Sequence, residues 1–206
     1  MDNDNLLFDR ILGRRAMLAP EVIPPALFPL FENRLMNPTR EDYGLHLELL
    51  GLQQGEDDPL VILARSGGRR ETDSYHVFPA PFERHDAEGR REVCIQFFTN
   101  GFQYTSGDVG NAAERPIFLM WDFQNPEDDR ALMIRSENNQ NLGWVPRYYN
   151  RMLLKLRERG VPITARAEHV NPPGTPPWYR VLCSVTAPWP QGFDPVAEDE
   201  ECGVLA

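Results

Sequence analysis

The pattern of apolar and polar positions changes near residue 90. Before it, apolar side chains recur three or four positions apart, and after it they form short runs that end at turn-forming residues. Helical faces produce the first spacing and buried strands the second. The sequence therefore predicts an α+β chain, with a small helical and strand module at the N-terminus followed by a β-rich module with one helix.

The N-terminal half favours helices followed by one returning strand. Apolar spacing predicts helices within 26–36 and over 41–50, and the proline at 59 suits the first turn of a third helix over 59–64. Residues 74–79 alternate between polar and apolar side chains, which is typical of a strand.

The C-terminal half is centred on residues 116–149. An almost wholly apolar run over 116–121 predicts a strand covered on both faces, and a turn over 125–128 joins it to a hairpin partner over 131–134. Further strands are expected over 92–99, 142–145, 163–170 and 179–186, with extended chain over 102–104 and a helix over 146–159.

These elements divide the chain into four segments. Residues 1–82 form the expected N-terminal module, and residues 1–25 are expected as an extended lead-in because prolines interrupt any helix there. A charged linker is expected over 83–91, the β-rich module over 92–190 and an acidic tail over 191–206.

Charge is distributed unevenly along the chain. The whole sequence carries −10, yet residues 89–193 hold 12 lysines and arginines against 10 acids. Residues 194–206 hold five acids and no base. The β-rich module is therefore not acidic, so its charge permits local contacts with a phosphate backbone although long-range attraction is weak. The acidic tail is a potential competitor for such contacts.

The spacing of chemically active residues favours a non-enzymatic protein without a metal or cofactor. Cys94 and Cys183 lie within apolar runs and are expected as reduced core residues, and no Cys or His pair has zinc-ligand spacing. No nucleophile, base and acid lie at motif spacing. A signal pattern and an apolar run of ~20 residues are both lacking, so we expect a cytoplasmic protein.

Three segments of the N-terminal module follow one another in a recognisable order. They read FPLFENRLM, EDYGLHLELLGL and DDPLVILARSGGRRETDSYHVFP, with a Gly-Gly turn in the third. Over residues 27–80 this order resembles the second half of the small N-terminal subdomain of HipA-type toxin kinases. The sequence has no Gly-rich phosphate loop and no pair of kinase aspartates. The resemblance implies a partner-binding shape like that of small antitoxins, and not phosphoryl transfer.

Three motifs of the β-rich module also occur in a fixed order. They are Gly-Phe-Gln-Tyr at 101–104, Asn-Pro-Glu-Asp at 125–128 and Leu-Gly-Trp-Val-Pro-Arg at 142–147. Their order and spacing resemble the HIRAN domain, a small, mainly β module of DNA-remodelling helicases and of many bacterial proteins. The resemblance implies a β-rich barrel with one helix that recognises the 3′ end of single-stranded DNA. Its combination with a HipA-like piece is similar to a bacterial domain pairing.

The same motifs supply candidate binding residues. The resemblance implies that Asp128 accepts a hydrogen bond from a terminal hydroxyl and that Gln103 and Tyr104 contact phosphate and base. Glu127 stands where the helicase domains carry an aromatic residue, and Gln103 stands where the family commonly carries arginine. From the residues alone, turn chemistry favours a plain hairpin turn over 125–128, and Tyr104 is as readily a half-buried strand residue as a binding residue.

The predicted helix over 146–159 adds a row of bases, here called the basic ridge. The ridge recurs every four residues, opposite an apolar face. Its members are Arg147, Arg151, Lys155 and Arg159, and the apolar face holds Tyr149, Met152, Leu153 and Leu156. Such a row is common on a solvated helix face, and it is also the best phosphate-contacting surface in the sequence.

Together these features predict a non-enzymatic adaptor that binds single-stranded DNA or a DNA 3′ end. The predicted contacts are Gln103, Tyr104, Asp128, Arg147, Arg151 and Lys155. The alternative is a protein-interaction subunit of a toxin–antitoxin or phage-defence system that does not bind DNA itself. Its partner would be a kinase, a nuclease or a helicase.

Overall fold

A computed structural model describes residues 29–53, 55–70, 72, 76–106, 109 and 116–193. The chain divides into two compact units between Ala80 and Pro81. The lead-in over 1–25 and the acidic residues of the tail over 194–206 lie outside the described residues, so the expectations for them stay predictions.

The described part of the N-terminal unit holds three short helices, α1 (Pro29–Glu32), α2 (Tyr43–Leu49) and α3 (Pro59–Ser66). α3 begins at its proline as expected, and Asp58 accepts a hydrogen bond of 2.7 Å from the N–H of Leu60. Its last turn ends at Gly67 in the left-handed conformation, with φ 75°. The helices pack around a small aliphatic core of Leu47, Leu50, Leu52, Ile62, Leu63 and Val77.

The strand predicted over 74–79 is not formed in the part of it that the structure describes. Residues 76–80 lie outside any strand. The N–H of Val77 donates to the carbonyl of Gly67 (2.9 Å), which folds the segment back onto the end of α3. Among its described residues, this unit offers no second strand with which the segment could pair.

The C-terminal unit is a seven-stranded antiparallel sheet with one α-helix. The strands are β1 (Phe82–His85), β2 (Arg91–Phe98), β3 (Ile117–Trp121), β4 (Leu132–Ser136), β5 (Asn141–Trp144), β6 (Thr164–Val170) and β7 (Val181–Pro188). Their order in the sheet is β1-β2-β7-β6-β3-β4-β5. The helix α4 (Arg147–Glu158) follows β5, and 3₁₀ turns occupy Phe102–Tyr104 and Pro177–Tyr179.

The sheet closes on itself beyond β5. Asn100, which follows β2, exchanges two hydrogen bonds of 2.8 Å with Trp144 at the end of β5. β7 pairs with one edge of β2, and β1 pairs with the first half of the other edge, which continues to Asn100. The six strands β2, β7, β6, β3, β4 and β5 therefore form a small barrel around an apolar core.

The buried faces of α4 and of the central strands form that core. The apolar face predicted for the helix is confirmed, since Tyr149, Met152, Leu153 and Leu156 are all buried. Cys94 and Cys183 are buried and form no disulfide, as expected. Burial raises the pKa of the Cys183 thiol.

Two segments of this unit differ from the expectation. The expected linker over 83–91 contains most of β1 and the turn into β2, and Arg91 pairs with Glu83 across the hairpin at 2.7 Å. Its charged composition reflects strand residues that are exposed. The chain over 102–104 is a 3₁₀ turn and is not extended, because Gly101 at φ 70° bends the backbone before it.

The prediction that the 116–121 strand is covered on both faces is wrong. The hairpin of β3 with β4 is confirmed, with Met120 opposite Met133. However, Phe118, Met120 and Trp121 are each about half exposed. An unbroken apolar run indicates burial only if another layer covers its outer face, and nothing in the described part of the chain does so here.

Candidate nucleic-acid interface

The turn after β3 is built by its own side chains. Asn125 Oδ1 accepts hydrogen bonds from the N–H groups of Glu127 (3.0 Å) and Asp128 (3.2 Å). Asp128 Oδ1 in turn accepts a hydrogen bond from the N–H of Arg130 (2.9 Å). The segment is thus a side-chain-stabilised turn, as its composition predicts.

The second carboxylate oxygen of Asp128 lies against the start of α4. Asp128 Oδ2 accepts a hydrogen bond from Nδ2 of Asn150 (2.9 Å), and Nε of Arg147 lies 4.0 Å away. Asn150 is buried, and its Oδ1 has no hydrogen-bond partner within the described ranges. Arg147 is 77% exposed at its side chain, and Asp128 is 14% exposed. The carboxylate is therefore held in one orientation beside an exposed cation.

Trp144 connects this turn to the preceding motif. Its Nε1–H donates to Oδ2 of Asp122 at 2.9 Å, and the same oxygen accepts a hydrogen bond from Nδ2 of Asn125 in the turn at 3.2 Å. Its ring packs on Gly101 so closely that a Cβ there would lie 2.8 Å from the ring and 3.7 Å from the ring of Tyr104. One chain of contacts therefore runs from Tyr104 through Gly101 to Trp144, and from there through Asp122 to the turn that holds Asp128.

Tyr104 projects from the surface on its 3₁₀ turn. The residue is 79% exposed, so the interpretation as a half-buried strand tyrosine is wrong. Phe102 anchors the turn, since its buried ring lies 5.2 Å from the guanidinium of Arg180. Burial lowers the pKa of that Arg180 guanidinium. The open ring of Tyr104 and the exposed side chain of Gln103 are both accessible to a ligand.

The basic ridge enters this site only at its first residue. Arg147 lies next to Asp128, whereas Arg151 and Lys155 lie one and two turns farther along α4 and are partly exposed. The structure thus links Tyr104, Asp128 and Arg147 through contacts and places the other two bases along the helix that leads away from them.

Acidic side chains surround the same turn. Glu127 is exposed, and the side chain of Asp129 is 92% exposed. They place negative charge on the solvent side of Asp128. In the part of the chain that the structure describes, no three His, Cys, Asp or Glu side chains are grouped as a metal site. The same part contains no helix that is long and apolar enough to cross a membrane.

Two residues that support the site escaped the sequence prediction. Asn150 is a polar residue on the apolar face of α4, and Arg180 is a buried base just before β7. Each is a polar or charged residue at a position where the surrounding sequence pattern predicts an apolar one. That exception was the signal in the sequence that could have identified them. A buried polar side chain in an amphipathic pattern indicates a specific partner, since leaving it unpaired is costly.

The segment that carries these contacts matches one known family. The family model of the HIRAN domain matches residues 93–190. Two solved structures are similar to the chain. The HIRAN domain of human HLTF is 19% identical with a TM-score of 0.37, covering 46% of this chain and 74% of that chain. A Lactobacillus plantarum protein is 14% identical with a TM-score of 0.36, covering 47% of this chain and 96% of that chain.

The curated proteins gave no match to the chain. The family match spans the 101–104 turn, the turn that holds Asp128, and α4. Residues 93–190 of this chain form a HIRAN domain.

Proposed function

We propose that this protein is a non-enzymatic adaptor that binds the 3′ end of single-stranded DNA through its HIRAN domain. HIRAN domains bind nucleic acid at single-stranded 3′ ends. The observation that carries the proposal is the chain of contacts from Tyr104 through Gly101 and Trp144 to the turn that holds Asp128, beside Arg147. These residues offer an aromatic face, a hydroxyl acceptor and a cation within one connected surface.

Each residue supplies one interaction that a DNA end requires. Asp128 Oδ2, oriented by Asn150, accepts a hydrogen bond from the 3′-hydroxyl. Arg147 neutralises the adjoining phosphate, and Tyr104 stacks on a base, worth about 1–3 kcal/mol. Phosphates farther from the end are contacted by side chains along the approach, namely Gln103, Arg151 and Lys155.

The test compares two labelled oligonucleotides of one sequence, with a free 3′-hydroxyl or a 3′-phosphate. Fluorescence anisotropy across a salt series gives both affinities. We expect the free end to bind at least about tenfold more tightly, because blocking it removes a charge-assisted hydrogen bond of roughly 1.5 kcal/mol or more. Equal binding of the two ends would overturn end recognition.

A pair of arginine variants checks the surface. Arg147→Gln removes the cation beside Asp128, whereas Arg166→Gln removes an exposed arginine on β6. We expect the first variant to bind more weakly and to lower the slope of log affinity against log salt concentration by about one. We expect the second variant to leave both the affinity and the slope unchanged. Equal effects would place the nucleic acid elsewhere.

The alternative function is a protein-interaction subunit that does not bind DNA itself. The exposed carboxylates of Glu127 and Asp129 favour it, because they repel phosphate at the candidate site. In that case the HipA-like N-terminal module would hold a kinase, nuclease or helicase in a toxin–antitoxin or phage-defence setting. Absence of binding at about 50 mM salt, where phosphate contacts are strong, would favour this alternative.

A further inference from the structure

One side of the HIRAN domain carries an exposed apolar strand that the proposed function does not use. The structure describes eight exposed large apolar side chains, and four of them lie within residues 118–123. They are Phe118 (50% exposed), Met120 (48%), Trp121 (49%) and Phe123 (73%). Phe118 and Met120 lie on one face of β3 and Trp121 on the other, so the strand is apolar and exposed on both faces. Exposed apolar side chains that are concentrated in this way mark an interaction surface.

The backbone of β3 is open along the same stretch. One edge of β3 pairs with β4 along its whole length, but the other pairs with β6 only at Ile117. Antiparallel ladder bonds alternate along a strand. Since the N–H of Asp122 donates toward β4, the backbone groups of Leu119 and Trp121 point to the open edge. Such an edge is a template for another strand.

An apolar pocket of about 220 Å³ lies beside this open edge. β3, α4 and the segment leading into β6 form its walls. The apolar lining includes Ile117, Leu119, Leu132, Leu153, Val161 and Ile163, and the one charged lining residue is Arg157. A pocket of this size and composition suits a single aromatic side chain.

We propose that a second copy of this chain occupies the edge, with the two β3 strands antiparallel about a two-fold axis at Met120. In this register Leu119 faces the partner's Trp121, and each such pair exchanges two backbone hydrogen bonds. The ladder position opposite Ile117 is occupied by Ala165 of β6, so the partner's strand ends there, and the exposed ring of Phe123 beyond it fills the adjoining pocket. The contact is isologous, so it closes as a dimer.

The charges at the two ends of β3 favour a second copy as the occupant. The turn after β3 presents Glu127 and Asp129 to solvent. At the other end, Arg157 lines the pocket, and exposed Arg166 follows the residue of β6 that pairs with Ile117. An antiparallel pair therefore brings the acidic end of each copy toward the basic end of the other.

Disulfide crosslinking tests the register. Met120→Cys in a Cys202→Ser background places two thiols opposite each other at the axis, where facing Cα atoms lie roughly 4.5–5.5 Å apart. The native Cys94 and Cys183 are buried. The control is Gln191→Cys in the same background, an exposed position after β7. We expect several-fold more covalent dimer from the Met120 variant under mild oxidation.

Sedimentation equilibrium of the full chain tests the interface without crosslinking. We expect about twice the monomer mass of 23.6 kDa at about 100 μM, a concentration that populates small interfaces. Met120→Lys sets two lysines against each other and Phe123→Ser empties the pocket, so each should shift the protein to monomer. Tyr104→Ala, at an exposed aromatic residue outside β3 and the pocket, should leave the dimer intact.

Three outcomes would overturn the proposal. They are a monomeric full chain, a dimer that survives both Met120→Lys and Phe123→Ser, and a Met120→Cys variant that crosslinks no better than Gln191→Cys. Circular dichroism of each variant separates loss of the interface from loss of the fold. No nucleic acid is present in either experiment, so the result is independent of the DNA-end proposal.

Discussion

Glu127 is the residue at which this site departs most from a base-stacking surface. Its carboxylate is exposed next to Asp128, where it repels phosphate and cannot stack. Glu127→Tyr should strengthen binding of a 3′-hydroxyl oligonucleotide by about 1–3 kcal/mol, the usual contribution of one base–aromatic stack. Anisotropy titration against the unmodified chain measures the change.

Asp129→Tyr is the matched control for that substitution. It removes the same charge and adds the same ring two positions away, on a side chain that is 92% exposed. Only the Glu127 variant should gain end-specific affinity. An equal gain in both would show that the effect does not depend on position 127, and no gain in either would contradict a stacking position there.

Asn150 shows how a single buried polar side chain serves this surface. It uses its Nδ2 donor to fix Asp128 and leaves its Oδ1 acceptor without a partner within the described ranges. A buried unsatisfied acceptor costs on the order of 1–3 kcal/mol. The barrel accepts this cost at the one helix position that orients the Asp128 carboxylate, which agrees with a binding role for that carboxylate better than with a turn alone.

At the scale of elements, closure of the barrel depends on the two hydrogen bonds between Asn100 and Trp144. Because Gly143 has no side chain, the backbone of Asn100 can approach closely enough to form them. A Cβ at Gly143 would lie 2.5 Å from the carbonyl oxygen of Asn100, and its φ is 109°. Gly143→Ala should therefore lower the free energy of unfolding by about 3 kcal/mol or more, because strain and displaced backbone add. Urea denaturation measures the loss.

Gly174→Ala separates backbone strain from the clash. Gly174 also has a positive φ, 92°, but a Cβ there would meet nothing within 4 Å. We expect this variant to lose only about 1 kcal/mol. Equal losses for the two alanine variants would mean that the strands at the closure shift easily, and that the bridge contributes little to the barrel.

Most elements of the β-rich unit could be predicted from the sequence because turns and apolar runs are local signals. α4 has an apolar face and a glycine stop, and both lie within a few residues of the helix. β1 escaped because all of its residues are at least partly exposed and its pairing depends on β2. The exposure of the outer face of β3 was not predicted, because burial of that face depends on whether a distant part of the chain packs over it. An apolar run does not encode that.

The candidate site could be predicted only in its separate pieces. Asp128, Tyr104 and Arg147 stand in motifs that a sequence displays directly. Their connection through Trp144 depends on barrel closure, which brings Gly101 against the end of β5. Sequence spacing therefore indicated the residues, and only the tertiary fold indicates that they share one surface.

At the scale of the whole molecule, the boundary of the β-rich unit lies earlier than the family match begins. The unit starts at Pro81, whereas the match starts at residue 93. The intervening residues contribute β1, whose four residues pair with the first half of β2. The backbone carbonyl of Arg91 also accepts a hydrogen bond from the backbone N–H of Trp189 (2.9 Å), and the Arg91 guanidinium lies 5.3 Å from the centre of the Trp189 ring.

A fragment of residues 93–193 should consequently be less stable than one of residues 81–193. It loses the four pairs of β1 with β2, the pair of Glu92 with Pro188, the ion pair of Arg91 with Glu83 and the anchor for Trp189, which together correspond to roughly 2 kcal/mol or a Tm lower by about 10 °C. Thermal unfolding followed by far-ultraviolet circular dichroism measures the difference. Equal Tm values would make β1 an appendage and place the folding boundary at the start of the family match. A lower Tm for the shorter fragment would instead make the hairpin of β1 and β2 part of the fold. β1 covers the first half of an edge of β2, and the barrel itself closes against that edge only after β2, at Asn100.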